Sequence, residues 1–554
     1  MKSEKVLIIG GVAAGTKAAA KAKRENPDLK IVILTRDRHV SYAGCGLPYY
    51  LGDVIKEEKE LLVRRPKDFL IDYDIEVITE MEALKIIPEE KTVVVKSLST
   101  GDIKNFEYDK LVLAAGASPF IPPVEGKGLG NIVTVRTVTE ATAIKNLINE
   151  QGIREAVVVG GGMIGLEVAE NLLLRGIGTT VVELASHILP PYDADVALYV
   201  QKYLGEKGIK ILTGTAIKAF EDNGQGNVGA VITGAGTLAA DLVVLAVGVR
   251  PNVDLARECG IALGTTGAIA VDESMKTNIE DIYAAGDCAE NMNLITGKPV
   301  WYPMGSTANK TGRVAAINFA GTAHKDTMKG VLGTSVLKLF ELNVGKTGLS
   351  ERDARTLGYD VETVLVPAQD RAHYYPGSHM IVTKLIVDRK THLVLGGQIY
   401  GEGVVDKPVD ILVTAITFGS TVEQLAKLDL AYAPPFSMAM SSTIVAAHVM
   451  INKLQGRFSG VSPLALKEKM EAGAVLVDVR TKDEYFIRSI PGSINIPLRH
   501  VVDRAGELDR NREIIINCKV GLRSYMASLK LKGLGFEKVS ILEGGLIAYP
   551  LETK

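Results

Sequence analysis

The sequence predicts an α/β protein built on two strand–turn–helix modules, one nested inside the other, with two further domains after them. Two observations carry this. A short apolar run twice leads through a glycine turn into a helical segment. The first is Val6-Leu7-Ile8-Ile9 into Gly10-Gly11-Val12-Ala13-Ala14-Gly15, and the second Ala156-Val157-Val158-Val159 into Gly160-Gly161-Gly162-Met163-Ile164-Gly165. The composition agrees: 56 glycines and 47% apolar residues with only 5% aromatics suit parallel α/β folds better than β-sandwiches. At 554 residues the chain has room for about three to five domains.

Charge narrows the function classes. With 63 basic against 65 acidic residues and a formal net charge of −2, the chain shows neither a nucleic-acid footprint nor a polybasic membrane patch. No apolar run is long enough to span a bilayer, and the N-terminus reads as strand and turn rather than a signal sequence. Cys45, Cys259, Cys288 and Cys518 lack CxxC spacing, so no metal site and no disulfide framework is expected, and a cytoplasmic location is.

In the first module Gly10 makes the turn, Gly15 permits close helix–strand packing, and the helix N-terminus can take a pyrophosphate. Val12 stands where the strict fingerprint has its second glycine. Thr35 stands where the second strand, Ile31 to Leu34, would end in a ribose-binding acid. On the helix, Lys17, Lys21 and Arg24 share one face. Read alone this is a solvated basic stripe; beside a reactive thiol it would clamp a phosphorylated substrate. The stretch Ser41-Tyr42-Ala43-Gly44-Cys45-Gly46-Leu47-Pro48-Tyr49-Tyr50 supplies that thiol. Gly44 and Gly46 allow a flat cofactor to approach, and Pro48 can start a helix whose N-terminus favours a thiolate, which predicts a lowered Cys45 pKa. The same residues also describe a cysteine caught in a glycine-rich loop.

Tyr108 to Gly116 is a further buried strand, and Pro119, Pro122 and Pro123 mark a boundary. In the second module Gly160, Gly162 and Gly165 satisfy the full dinucleotide fingerprint. The next strand ends in Glu183, at the spacing of a ribose 2′-hydroxyl acceptor. A carboxylate there repels a 2′-phosphate, so NADH is expected over NADPH. The stretch Asp241 to Asn252 leads back toward the first module, and Asp281 to Asp287 presents an acid at a strand end. Two nested modules imply two nucleotides with a hydride passing between them.

At this point residues 1 to about 455 resemble the pyridine nucleotide–disulfide oxidoreductases, in the branch with a single active cysteine. The resemblance implies FAD at Gly10, Ala13, Ala14, Gly15, Ala115, Gly116, Arg136, Gly286 and Asp287, with Asp287 on the ribityl chain. It implies NADH or NADPH at Gly160, Gly162, Ile164, Gly165, Glu167 and Glu183, with Glu167 near the nicotinamide. Larger relatives carry a CxxxxC pair, whereas Cys45 is followed by Gly46-Leu47-Pro48-Tyr49-Tyr50, so it must pair with an oxygen or an external thiol. Peroxidases of the branch have a histidine at the position of Ala13. The Gly10–Gly15 and Ser41–Tyr49 stretches are similar instead to the coenzyme A-disulfide reductases. That likeness places Lys17, Lys21 and Arg24 on the nucleotide end of coenzyme A, and Ser41 and Gly44 along its path to the thiol. It also implies that Tyr374 and Tyr432 reach across a homodimer to the partner's cysteine, with Tyr375 a rival for Tyr374. The stretch Phe436 to Ser442 departs from the family.

After a linker at Gly456 to Pro463, a strand runs into Cys518-Lys519-Val520-Gly521-Leu522-Arg523-Ser524. This loop sets a cysteine in a nest of backbone N–H groups with Arg523 alongside. With Leu542-Glu543-Gly544-Gly545 following, residues 461–554 resemble a single rhodanese domain, in which Arg488-Ser489 replaces a usual glycine–histidine. The fold expected is therefore α/β: two nested Rossmann-like domains (FAD-binding, 1–117 and 251–325; NAD(P)H-binding, 118–250), an α+β dimerisation domain (326–455) and an α/β rhodanese domain (461–554). The resemblance implies reduction of coenzyme A disulfide, coenzyme A persulfide or polysulfide through Cys45, with Cys518 taking sulfur from a sulfane-sulfur donor. An NADH oxidase/peroxidase using a sulfenic acid, and a sulfur carrier on a non-catalytic reductase scaffold, are the alternatives. Cys259 and Cys288 read as small buried residues.

Overall fold

In the computed structural model, which describes residues 3–554, the chain forms two units. One runs to Leu184 and includes Ile209–Val331; the other holds Ala185–Gly208 and Leu332–Lys554.

The first unit contains both glycine-turn modules. Its first sheet is parallel, in the order Ile282–Ala284, Lys110–Leu113, Lys5–Ile9, Lys30–Leu34, Ile75–Ile78. Helix α1 (Ala13–Glu25) lies against the helix Gly305–Phe319, and its alanines explain how closely. Ala18, Ala19 and Ala22 are wholly buried, and a methyl on Gly312 would come within 2.4 Å of the Ala14 carbonyl oxygen. The second sheet is also parallel, in the order Lys210–Leu212, Gly178–Val182, Glu155–Val159, Leu242–Leu245, Ile132–Val133. The chain leaves the first module along Ala117–Pro119 and returns along Val249–Pro251, and these two segments pair antiparallel. The expected nesting therefore takes the form of a two-stranded neck. Three more helices matter below: α2 (Leu47–Leu51), α3 (Val138–Glu150) and α4 (Met163–Leu174).

The second unit opens on an antiparallel sheet, in the order Ser335–Leu339, Leu342–Gly348, Val394–Gly401, Met380–Asp388, Val361–Gln369. The helices Asp406–Thr417 and Ser442–Leu454 pack against it. Ser441 caps the second of these helices by accepting from the Ile444 N–H. The helix Ala194–Glu206, which the sequence counts with the NAD(P)H module, groups with this sheet. Lys384, 2% exposed, pairs with Asp195 and Glu351 at 2.9 Å each and with Asp193 at 3.3 Å. A lysine buried this deeply keeps its charge only because carboxylates surround it; they hold its pKa above the ordinary value despite burial. A last parallel sheet follows, in the order Ser459–Val461, Val539–Leu542, Ile514–Asn517, Val475–Asp478, Ile494–Asn495. Among the described residues no helix is long and apolar enough to cross a membrane.

Candidate functional site

Both glycine turns have the shape a dinucleotide requires. Gly10 adopts φ +115°, and a Cβ there would sit 2.0 Å from the Ala114 carbonyl oxygen; one on Gly15 would sit 1.9 Å from that of Gly10. No side chain caps α1, so its first amides are left for an anionic ligand. Thr35, where an acid was expected, is buried directly beneath Gly11. The other residues of the implied FAD site converge here. A Cβ on Gly286 would sit 2.8 Å from that of Ala14, and the Asp287 carboxylate pairs with Arg136 Nη2 at 3.0 Å. Arg136 in turn lies over Gly116, while the Ala115 carbonyl accepts from the Asn252 amide at 2.8 Å. An uncapped helix, a turn with no room for a Cβ at Gly10 or Gly15 and an acid at a strand end fit FAD.

The second turn repeats the arrangement. Gly160 has φ +109°, and a methyl on Gly165 would lie 2.0 Å from the Gly160 carbonyl oxygen. Above Gly162, the uncapped start of α4, there is open space to 4 Å. The Gly161 N–H donates to Glu183 Oε2 at 2.6 Å, which holds that carboxylate beside the turn, as a ribose acceptor requires. Ile164 is exposed next to it. These residues fit a nicotinamide dinucleotide.

Cys45 lies between the two. It sits in a single 3₁₀ turn, Gly44–Gly46, that runs into α2, with Pro48 in the first turn and Ser41 in the left-handed region at φ +47°. The thiol is free and exposed. Its electrostatics correct the sequence expectation. Partial burial first, then the carboxylates of Glu167 and Asp287, push its pKa up, and Arg136 offsets only part of this. A five-residue helix beginning after the cysteine does not outweigh burial and two carboxylates together.

The structure also shows what holds the Cys45 segment, and most of these residues escaped sequence reasoning. Lys145 of α3 reaches Asp53 at 2.8 Å and the Lys56 carbonyl at 3.0 Å, and stands 4.0 Å from the centre of the Tyr50 ring. Arg175, at the end of α4, donates to the Leu51 carbonyl at 3.0 Å and pairs with Asp53 at 3.2 Å. Asn171 fills the space beside Gly52, and the Tyr49 hydroxyl donates to Glu167 Oε1 at 3.3 Å. Glu167, Asn171 and Arg175 recur every four residues along α4 and its C-cap, so one face meets Tyr49, the Leu51 carbonyl and the Gly52–Asp53 turn that ends α2. That spacing was the available signal. Burial, with a smaller push from Glu170, raises Glu167 to about 7 against the pull of the Tyr49 hydrogen bond, and Tyr49 itself is pushed up to about 12 by burial and the neighbouring carboxylates.

The basic stripe of α1 is only partly free. Lys21 is paired with Glu25, and Arg24 stands 5.9 Å from the Tyr73 ring, which Arg64 approaches to 5.2 Å. Lys17 is half-buried.

In the second unit Tyr374 and Tyr432 meet. They share a side-chain hydrogen bond that raises the pKa of Tyr374, and both are exposed. The backbone N–H of Tyr375 donates to the Ala372 carbonyl at 2.9 Å, and its side chain is exposed as well. In the C-terminal sheet Cys518 is buried, and its sulfur accepts from the Gly521 N–H at 3.1 Å. Gly521, at φ +100°, opens helix α5 (Leu522–Gly533). Arg523 is held by Glu484 through two bonds of 2.7 and 2.8 Å, which push that carboxyl down to about 2. Gly545 packs so closely that a Cβ would meet the Cys518 carbonyl oxygen at 2.5 Å, and the Leu546 N–H donates to that oxygen at 2.9 Å. Cys288 is buried as expected; Cys259 is only half-buried.

Comparison with known proteins agrees with this anatomy. The pyridine nucleotide-disulphide oxidoreductase family matches residues 4–302, the dimerisation domain of that family residues 334–444, and the rhodanese-like domain residues 462–550. A relative from Pyrococcus furiosus, described as NAD(P)H sulfur oxidoreductase (CoA-dependent), is 37% identical over 81% of this chain and 100% of its own length. A relative from Methanocaldococcus jannaschii, described as NADH oxidase, is 36% identical over 82% of this chain and 100% of its own. The solved structure of an NAD-dependent persulfide reductase from A. fulgidus is 40% identical, with a TM-score of 0.93 over 98% of this chain and 99% of that one. With its two nucleotide modules, its dimerisation domain and a rhodanese-like domain at the C-terminal end, this chain belongs to the pyridine nucleotide-disulphide oxidoreductase family.

Proposed function

We propose that the protein is an NAD(P)H-dependent flavoprotein that reduces coenzyme A disulfide, coenzyme A persulfide or polysulfide, with a sulfane-sulfur-handling domain attached. The observation that carries this is the free, exposed Cys45, on which Asp287 of the first nucleotide module and Glu167 of the second both act. Bound FAD and NAD(P)H supply the electron pair that returns this cysteine to the thiolate. Gly10, Ala13, Ala14, Gly15, Ala115, Gly116, Arg136, Gly286 and Asp287 hold the first, and Gly160, Gly162, Ile164, Gly165, Glu167 and Glu183 the second. Glu183 turns away a 2′-phosphate and so favours NADH.

The chain's own part begins at the sulfur. With coenzyme A disulfide or persulfide the Cys45 thiolate attacks the sulfur bonded to coenzyme A, the substrate S–S bond breaks, and a Cys45–coenzyme A mixed disulfide forms as coenzyme A thiolate or hydrosulfide departs; with polysulfide the attacked sulfur stays on Cys45 and the shortened polysulfide departs. Lys17, Lys21 and Arg24 hold the phosphates of coenzyme A, and Ser41 and Gly44 line the way to the thiol. Tyr374 and Tyr432, supplied by the second subunit of a homodimer, donate hydrogen bonds to the departing sulfur. Their mutual hydrogen bond makes Tyr374 harder to ionise and so keeps a donor available. In the rhodanese domain Cys518 takes sulfane sulfur from a donor, Arg523 and the Gly521 N–H support its charge, and coenzyme A carries the sulfur onward. The cytoplasm, where free thiols persist, is the compartment that suits such chemistry.

The relative described as an NADH oxidase favours a second reading, in which Cys45 cycles through a sulfenic acid. Steady-state NADH oxidation with coenzyme A disulfide, coenzyme A persulfide, peroxide and oxygen separates the two: a sulfur substrate is expected to be turned over best. Peroxide or oxygen as the best acceptor would overturn the proposal. In the same assay Cys45→Ser abolishes disulfide reduction while Cys518→Ser retains it; the reverse result would make the reductase half a scaffold.

A further inference from the structure

The rhodanese-like domain carries a cleft of about 620 Å³ that no step of the proposed reaction uses. One wall is the short helix Lys482–Ile487, on which Lys482, Tyr485 and Phe486 stand at i, i+3 and i+4 and so share a face. Ser489, Asn495 and Lys554 complete the lining, and Asp483 is its one acidic side chain.

The cleft is firmly built. The Tyr485 hydroxyl donates to the Ser493 carbonyl at 2.5 Å, and the Asn495 side-chain amide donates to the Asp478 and Arg480 carbonyls at 3.0 Å each. Lys554 is tied down through its backbone, which exchanges two hydrogen bonds of 2.9 Å with Ser489. Arg488 donates to Thr553 Oγ1 at 3.1 Å and Lys202 to the Leu551 carbonyl at 3.0 Å, so the whole segment is held. What is left for a ligand is two ammonium groups, one carboxylate and an aromatic ring. Lys482 and Lys554 are both exposed, and neither is held by a carboxylate among the described residues. Lys554 Nζ stands 5.9 Å from the centre of the Tyr485 ring, and Phe486 is 91% exposed.

We propose that this cleft binds an adenine nucleotide, with its base stacked on Phe486 and its phosphates drawn to Lys482 and Lys554. The proposed reaction supplies one such ligand, the nucleotide end of coenzyme A, and in naming that source the inference rests on the reading given above. A small sulfur anion would leave most of the volume unfilled, whereas a nucleoside with its phosphates falls in the size range such clefts hold. An aromatic ring on the lining gives the face of a base its partner, and ammonium groups bind phosphate as point charges. Asp483 opposes the phosphates, but two cations outweigh one anion. The position bears on Cys518. Glu484, on the same short helix, holds Arg523 of the Cys518 loop through bonds of 2.7 and 2.8 Å. Coenzyme A anchored here by its nucleotide keeps its thiol-bearing arm on the domain that carries Cys518.

The test photolabels the FAD-loaded full-length protein with 8-azidoadenosine 3′,5′-bisphosphate and maps the adducts by peptide mass spectrometry, so that labelling at the other nucleotide sites falls on other peptides. An adduct is expected within residues 482–489. Its half-saturating probe concentration should rise about tenfold in Phe486→Ala and in the double variant Lys482→Ala/Lys554→Ala, and fall several-fold in Asp483→Asn. All four side chains are exposed, so these variants keep the wild-type Tm and flavin absorbance. Coenzyme A should suppress the adduct at lower concentration than 5′-ADP; equal suppression by 5′-ADP keeps the site and overturns coenzyme A as its occupant. The site itself is overturned by no adduct on this segment, by a half-saturation unmoved in Phe486→Ala, or by suppression with inorganic phosphate as effective as with coenzyme A. Failure of the reductase reading shows elsewhere, as absent turnover of coenzyme A disulfide in wild type while the labelling pattern stands.

Discussion

Glu183 shows how far a single residue could be read in advance. Its place after the second strand of its module was visible as a spacing, and the Gly161 N–H bond at 2.6 Å supplies the reason it stays there. A carboxylate fixed by the backbone cannot swing aside for a 2′-phosphate. Glu183→Ala is therefore expected to raise kcat/KM for NADPH relative to NADH by about tenfold, close to 1.4 kcal/mol of differential binding. Unchanged preference would mean that another group selects the nucleotide. Cys45 shows the opposite lesson. Its residue type, glycine neighbours and following proline pointed to a lowered pKa, because a helix N-terminus is a local feature. Burial first, and then the carboxylates of Glu167 and Asp287, reverse the direction; those carboxylates lie more than a hundred residues away, and only the fold supplies either effect. Lys21 is similar in kind: the stripe was legible, but its ion pair with Glu25 takes part of the charge out of play.

At the scale of the element, the two glycine turns were legible because their requirements are steric and contiguous. The fingerprint already gives helix–strand packing to the last glycine of the first turn, and the distances show what that means for the glycines of the second. The structure separates them within one turn. A methyl on Gly165 would strike the Gly160 carbonyl oxygen at 2.0 Å, a backbone atom with nowhere to move, whereas a methyl on Gly162 would enter open space. Gly165→Ala is expected to cost about 1–3 kcal/mol in stability as strand and helix are pushed apart, and to lower Tm. Gly162→Ala should leave Tm unchanged and raise KM for NADH several-fold, because the added methyl stands where the pyrophosphate must approach. Thermal melts with NADH titrations on both variants check this, and equal losses of Tm would show that both glycines serve packing. The docking of α2 belongs to the same scale. Tyr49, Lys145, Asn171 and Arg175 act together only because α2, α3 and α4 meet, and a scan along one segment at a time does not see three helices.

For the whole molecule, the order of the domains was readable from breaks in pattern: prolines at the neck, a linker after Gly456 and a fresh strand–loop–helix around Cys518. The pairings across those breaks were not, since each joins residues far apart in sequence. One of them ties the rhodanese-like domain to the dimerisation sheet. Lys453, on the helix Ser442–Leu454, pairs with Glu362 at 2.9 Å and with Glu543, and donates to the Thr363 carbonyl at 2.8 Å. Burial pushes the Glu543 carboxyl up while Lys453 pulls against it. Glu543 continues through Gly544 into Gly545 and Leu546, whose backbone packs on and hydrogen-bonds the Cys518 carbonyl. Lys453→Met would leave Glu543 buried without its cation, while Glu362 keeps Arg389 at 2.6 Å, at a cost of about 3–5 kcal/mol. The expected outcome is a lower Tm together with slower sulfane-sulfur transfer at Cys518, while reduction of coenzyme A disulfide at Cys45 keeps its wild-type KM. Lys453→Arg, which preserves the charge, should restore most of both. Calorimetry beside the two activity assays makes the comparison, and full sulfur transfer in a destabilised Lys453→Met protein would show that the triad holds the domain without shaping its loop.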